Sequence, residues 1–351
     1  MQRPGLTPSR LGLSLGVSLF AVIVVLIISP GIGSLPIGVA QAWRHWSKPD
    51  SDIHRIAFDL RLPRAMTALV VGTTLSICGA VFQTLFRNVL ATPYTLGIAT
   101  GGSLGALLSL KLGVTLSILG LPAISWCAML GSGSVVAMVL ILAGATYRLS
   151  GNALVLAGVT IGLFCGSLMM FVTYLADVRE TFAIVHWMMG SLESFGYGSL
   201  VSIIGPVALA WIMLVAAAPA LNQFAMGEEI AASRGVRTGR MQVVTIGLAS
   251  MATACVVSIA GPIGFVGLVV PHSVRLIMGY DHRLLLPLAG VWGGVFLVGC
   301  DWLSHLIPSW YAAWTGGFRE SSSLPIGVMT SVIGAPVFLI LLAKNRRGRK
   351  A

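Results

Sequence analysis

The chain has 351 residues, 56% hydrophobic and 9% charged, with a mean hydropathy of +0.92. A soluble domain carries about a quarter charged residues, so there is too little polar surface here to coat a soluble globule. The net charge of +11 comes without an aromatic-interleaved basic patch, which speaks against a nucleic-acid surface.

A transmembrane helix needs about 20 apolar residues. Charge-free runs of that kind recur at 11–30, 65–86, 93–110, 112–147, 152–176, 194–227, 241–274, 284–300 and 321–343. The run 241–274 is long enough for two short crossings if it turns at Gly261-Pro262. The expected fold is all-α, a polytopic integral membrane protein with about ten transmembrane helices and both termini cytoplasmic. With ten spans and a cytoplasmic N-terminus, 14 of the 22 Lys and Arg residues fall inside, and five of the remaining eight lie in the single outer loop 31–64. The positive-inside rule favours that orientation. Arg3 and Arg10 before the first run, and Val39-Ala40-Gln41-Ala42 after it, resemble a signal peptide. The run exceeds a typical h-region and Pro30-Gly31 precedes the cleavage-like site, so an uncleaved first span is expected.

No linker or second soluble domain is evident, so residues 1–351 read as one transmembrane domain. Gly158, Gly162 and Gly166, and Gly290 with Gly294, have the spacing that lets helices approach closely. Gly101-Gly102-Ser103-Leu104-Gly105 matches a hydrolase elbow by letter. It lies in a helical apolar run instead of a strand-turn-helix, so an intramembrane hydrolase built on Ser103 is disfavoured. The block Gly261–His272 is apolar but broken by glycine and proline, as is Leu324-Pro325-Ile326-Gly327. Such breaks free backbone groups that only protein or a water-filled path can satisfy. Gly261, Pro262, Gly264, Gly267, Pro325 and Gly327 are therefore expected in a translocation path or hinge. His186-Trp187-Met188-Met189-Gly190 reads first as an interfacial anchor with soft packing residues.

What is absent also discriminates. None of Lys48, Lys111, Lys344 and Lys350 follows a glycine, so the chain has no phosphate-binding Gly-Lys loop. The proposed spans hold almost no ionisable groups apart from Asp301 and His305, which disfavours an ion-coupled secondary carrier. The five cysteines are isolated and His272 stands alone, so no metal site, cofactor or catalytic residue is expected. In loop 219–240, Gly227, Ala231 and Gly235 fall four apart on one helical face, flanked by Glu228, Glu229 and Arg234. That pattern suits either a short helix pressed into a groove on another protein or a solvated loop.

These residues resemble the permease family of bacterial ABC importers for ferric siderophores, haem and cobalamin. The resemblance rests on Arg61-Leu62-Pro63-Arg64, Ser76–Gln83, Arg87–Pro93, Phe265–His272, Asp281–Pro287, Leu324–Thr330 and Gly334-Ala335-Pro336, in order over about 11–343. It implies a permease subunit of the inner membrane, paired with a second copy or close paralogue, two cytoplasmic ATP-binding subunits and a periplasmic substrate-binding protein. It implies that Gly227, Glu228, Glu229, Ala231, Arg234 and Gly235 form the ATPase-coupling loop, and that Arg61 and Arg64, with His305 in place of an expected arginine, dock the binding protein. Ser323 stands where the family often has Glu, and segment 306–323 is longer than usual. Ferric siderophore is the first expected cargo, with haem or cobalamin next.

Overall fold

The computed structural model describes residues 8–114, 116–118, 121–144, 151–192, 196–315 and 323–347. Helix α1 (Pro8–Ile28) leads through a short 3-10 turn to α2 (Val39–Arg44). Helix α3 (Asp52–His54) passes through a π-helical turn (Arg55–Arg61) straight into α4 (Leu62–Leu85). The second half of the expected outer loop 31–64 is thus part of one 34-residue helical segment, Asp52–Leu85. Aromatic packing explains this: Phe58 is buried and meets the rings of Trp43 and Trp46 edge-on at 5.4 and 4.7 Å.

Helix α5 (Ile98–Lys111) follows a 3-10 turn, Pro93–Leu96. Strands β1 (Ser117–Ile118) and β2 (Leu121–Pro122) form a small antiparallel ribbon before α6 (Ala123–Gly144). The run 112–147 is therefore not all span, because the chain turns at Gly113 and forms the ribbon before becoming helical at Ala123. Then come α7 (Gly151–Tyr174), α8 (Val178–Met188) and α9 (Gly196–Ala216). Asp177 and Glu180 form a reciprocal capping box that starts α8. The run 194–227 divides at Ala217, since Pro219 opens a separate helix, α10 (Ala218–Met226).

Helix α11 (Glu228–Ser233) is one short turn ahead of α12 (Thr238–Ala260). Next are α13 (Val266–Met278), α14 (His282–Thr315) and α15 (Ile326–Arg347). Helix α14 continues well past the expected limit at 300, so residues 306–315 of the long segment are helical. Residues 316–322, Arg148 and the basic residues Arg349 and Lys350 lie outside the described residues.

Among the described residues, seven helical segments are long and apolar enough to cross a membrane: within α1, Asp52–Leu85, and within α6, α7, α9, α12 and α14. Shorter apolar stretches, Val266–Met278 and Ile326–Leu341, belong to α13 and α15. With α5 they make up the ten apolar runs of the sequence. In α4 and α12, 72% of the most apolar window is buried, against 17% in α1 and 22% in α7. So α4 and α12 sit at the centre and α1 and α7 at the periphery. Helix α4 packs most extensively on α14, and α5 on α6. Where α4 crosses α13, Gly79 lies against the Gly267 carbonyl so closely that a Cβ would overlap backbone. Gly158 and Gly294 make similar approaches, to Leu96 and to the Leu69 carbonyl, whereas nothing in the described structure lies within 4 Å of a Cβ at Gly166. Ser103 is buried mid-helix in α5, and no elbow exists there.

Candidate functional site

Three regions carry the residues singled out from the sequence. The first is an interruption inside the bundle. Helices α8, α12 and α15 all end or begin at one place. The Ser191 N–H donates to the Ala260 carbonyl at 3.0 Å, Ile326 N–H to Gly190 at 3.2 Å, and Gly327 N–H to Met189 at 3.1 Å. The freed backbone groups of one break thus satisfy those of the others, as lipid demands. A Cβ at Gly261, whose φ is +65°, would stand 2.6 Å from the Trp187 carbonyl. The Met188-Met189-Gly190 block is therefore a helix end seated on two breaks, a role not visible from its composition.

Gly261, Pro262, Pro325 and Gly327 meet here. Gly264 is looser, with only Ser331 at 4.0 Å from a Cβ, and Gly267 serves the α4–α13 contact instead. Tyr94 holds the break: its hydroxyl donates to the Ile263 carbonyl at 2.7 Å and accepts from the Ile263 N–H at 2.9 Å. Phe265, at φ +66°, starts α13 in a left-handed conformation that bulky residues adopt at a cost of about 1–2 kcal/mol. A cavity of about 440 Å³ opens beside the break, lined in part by Phe182, His186, Trp187, Ser191, Ser258 and Gly261.

The second region is one end of the bundle, around α10 and α11. Gly227 (φ +148°) ends α10 and caps α11, and Gly235 (φ +84°) lies just beyond its last turn. The two glycines end the helix and do not lie on its face. Of the three small residues, only Ala231 is on α11, and it is fully buried. Glu228, Glu229, Arg234 and Gly235 are exposed, and a Cβ at Gly235 would meet nothing within 4 Å. This short charged corner is available to a partner.

The third region is the opposite end. Arg61 donates to the Pro30 carbonyl at 3.1 Å and the Leu35 carbonyl at 2.6 Å. Arg64 places Nε and one terminal nitrogen 2.9 Å from the same Asp301 oxygen. Both arginines therefore hold this chain's own outer loop and α14 in place. With His305 they line a cavity of about 330 Å³. The family resemblance pointed to Arg61 and Arg64 but could not reveal these internal partners, since Asp301 lies 237 residues from Arg64. Neither ring nitrogen of His272 finds a hydrogen-bond partner among the described residues, and its ring packs edge-on to Phe338.

A bundle of apolar helices whose interruptions satisfy one another is the architecture of a polytopic membrane protein. The chain belongs to the FecCD transport family, whose model matches residues 19–344. It is 36% identical to the uncharacterized ABC transporter permease protein YvrB of Bacillus subtilis, over 96% of this chain and 94% of that one. It is 33% identical to the vitamin B12 import system permease protein BtuC of Vibrio vulnificus, over 83% and 84%. A molybdate import system permease protein, MolB of Haemophilus influenzae, is 30% identical over 95% and 96%. Among solved structures, an inward-facing ABC transporter described as metal-chelate type superposes with a TM-score of 0.80 at 28% identity, covering 95% of this chain and 99% of that one. The protein is thus a multi-pass inner-membrane permease subunit of an ABC importer. Such subunits work with separate ATP-binding subunits and a substrate-binding protein.

Proposed function

We propose that this chain moves a bulky metal chelate inward, driven by ATP hydrolysed on a separate subunit, and has no ATPase site of its own. The observation that carries this reading is the junction of two helix breaks with the end of α8, where small residues and backbone groups meet without a carboxylate among the residues that form it. Ion-coupled carriers place ionisable groups at such depth. A cavity of about 440 Å³ is at the low end for a drug-sized ligand, so a macrocyclic cargo needs a second permease copy to complete its path. The exposed turn at Glu228, Glu229, Arg234 and Gly235 is the surface for the ATP-binding subunit.

Among cargoes, the names of the relatives favour cobalamin over the ferric siderophore expected from the sequence. Vitamin B12 permeases cover most of the chain at similar identity, while the molybdate permease shows that the same architecture serves a small oxyanion. The test is uptake by the full complex reconstituted in proteoliposomes with its binding protein, offered cyanocobalamin, ferric hydroxamate siderophore, haem or molybdate. ATP-dependent accumulation of cyanocobalamin alone is expected. Accumulation of molybdate and of no chelate overturns the chelate reading.

A further inference from the structure

The corner where α13 gives way to α14 carries a polar cluster that neither the path nor the exposed turn accounts for. Asn222 of α10 reaches across to it. Its amide nitrogen donates to the Asp281 carboxylate at 2.7 Å, and its amide oxygen accepts from the His282 backbone N–H at 2.8 Å. The same oxygen lies 2.7 Å from His282 Nδ1, and His282 Nε2 lies 2.6 Å from the Thr84 hydroxyl near the end of α4. The donor pattern fixes the amide: only its nitrogen can meet a carboxylate and only its oxygen an N–H. Asp281 caps α14 unaided, accepting from the Arg283 N–H at 3.0 Å. The cap therefore does not need Asn222, and the contact from α10 is an additional tie.

Helix α10 is otherwise anchored by its apolar side. Leu221 and Phe224 are buried, and the Arg87 guanidinium stacks over the Phe224 ring at 5.2 Å. From its other end, across Gly227, hangs α11, which packs chiefly on α10 and more lightly on α12. A displacement of α11 thus has two routes inward. One is α12, which leads to the break at Ala260–Ile263. The other is α10, whose hydrogen-bonded hold on α14 is Asn222. Helix α14 then runs on to Asp301 and its pair with Arg64 at the far end.

We propose that Asn222 is a positioning residue that transmits movement of the ATPase-facing turn into α14. The proposal rests on the coupling reading of residues 227–235. It is tested in the full complex in proteoliposomes by Asn222→Ala, Asn222→Asp, Asp281→Asn and the double exchange Asn222→Asp with Asp281→Asn. The single variants are expected to assemble with the ATP-binding subunits and hydrolyse ATP, while uptake per ATP falls about fivefold or more, the usual scale of coupling between sites. The double exchange restores uptake per ATP. A carboxylate at 222 accepts from His282 and from the amide nitrogen at 281; Asn222 and the Arg283 N–H share one oxygen of Asp281 in the native protein, so the new amide turns to present its oxygen to Arg283. Native uptake per ATP in Asn222→Ala overturns the proposal. So does a loss of assembly in the single variants, or a double exchange no better than Asn222→Asp. A cysteine introduced by Ser233→Cys separately reports the underlying reading: it should cross-link to the ATP-binding subunit. Without that cross-link the coupling reading falls, and this proposal with it; with it, the 222–281 result alone decides.

Discussion

Arg64 shows how a residue identified by pattern acquires a different weight once its neighbours are known. Its side chain is 18% exposed and that of Asp301 6%, so the pair is shielded from water. Removing one partner of a shielded pair leaves an uncompensated charge, at a cost of about 3 kcal/mol or more. Arg64→Glu is therefore expected to lower the thermal unfolding midpoint in detergent markedly, before any delivery protein is involved, and Arg64→Glu with Asp301→Arg to recover much of it. An unchanged midpoint in the single variant would leave docking as the arginine's main role. Gly235 is the opposite case. Its φ of +84° strains any other residue, but a side chain there meets nothing of this chain. Asn and Asp tolerate the left-handed region better than most residues. Gly235→Asn and Gly235→Asp should insert and unfold like the native protein, within about 1 kcal/mol, and lose uptake. Native uptake in either would remove position 235 from the contact with the ATP-binding subunit. Asp281 adds a pH signature. Partial burial alone would raise its carboxyl, but the bond from Asn222, the Arg283 N–H and the charges of Arg283 and His282 outweigh burial and hold it below the ordinary carboxylate value. A depressed folded-state value means the stabilisation is complete above the ordinary carboxylate range and is lost as pH falls through that range and below it. Acid titration of stability should be shallower in Asp281→Asn than in the native protein, and the two curves should run parallel from pH 6 to 8.

At the scale of elements, the apolar runs located the helices because lipid requires long charge-free stretches and little else. They located ends poorly. The run 194–227 hid the division at Ala217, because a proline that opens one helix is as apolar as the helix it follows. The stretch Asp52–Arg61 reads as loop because it carries charge, yet Phe58 and the two tryptophans hold it helical. The glycine and proline breaks were legible as breaks. That two of them meet each other and the end of α8 was not, because the bonds between Met189, Gly190, Ser191, Ala260 and residues 326–327 join positions 69 to 138 apart in the chain. Tyr94 carried no signal at all, being one tyrosine in an apolar run. It now has a definite consequence. Tyr94→Phe keeps the ring but strands the Ile263 N–H and carbonyl, at about 1–3 kcal/mol. The variant should unfold at lower temperature and, if the break moves during transport, show an altered uptake rate. Thermal unfolding matching the native protein would mean that water replaces the hydroxyl.

For the whole molecule, the two ends of the bundle differ in chemistry as the positive-inside rule requires. One end carries Arg87, Arg234, Arg237, Arg240 and Arg283 around α10 and α11, while the opposite end commits Arg61 and Arg64 to internal partners. The count of 14 against 8 follows that rule, in which Lys and Arg set the orientation and Asp and Glu contribute little. Ser233, the exposed last residue of α11, serves as an inner reporter position. The exposed Asp50, next to Ser51 whose hydroxyl caps α3, serves as an outer one. The native cysteines interfere little: Cys78, Cys165, Cys255 and Cys300 are buried and Cys127 is half-buried. A cysteine from Asp50→Cys should react with an impermeant maleimide in intact cells. One from Ser233→Cys should react only in inside-out vesicles. From position 50 to position 233 the chain passes through α4, α5, α6, α7 and α9, an odd number of crossings if each spans. Labelling of both positions from one side would mean that one of these five does not cross, and the ten-span arrangement would have to be redrawn from the 14-residue α5, the shortest of them.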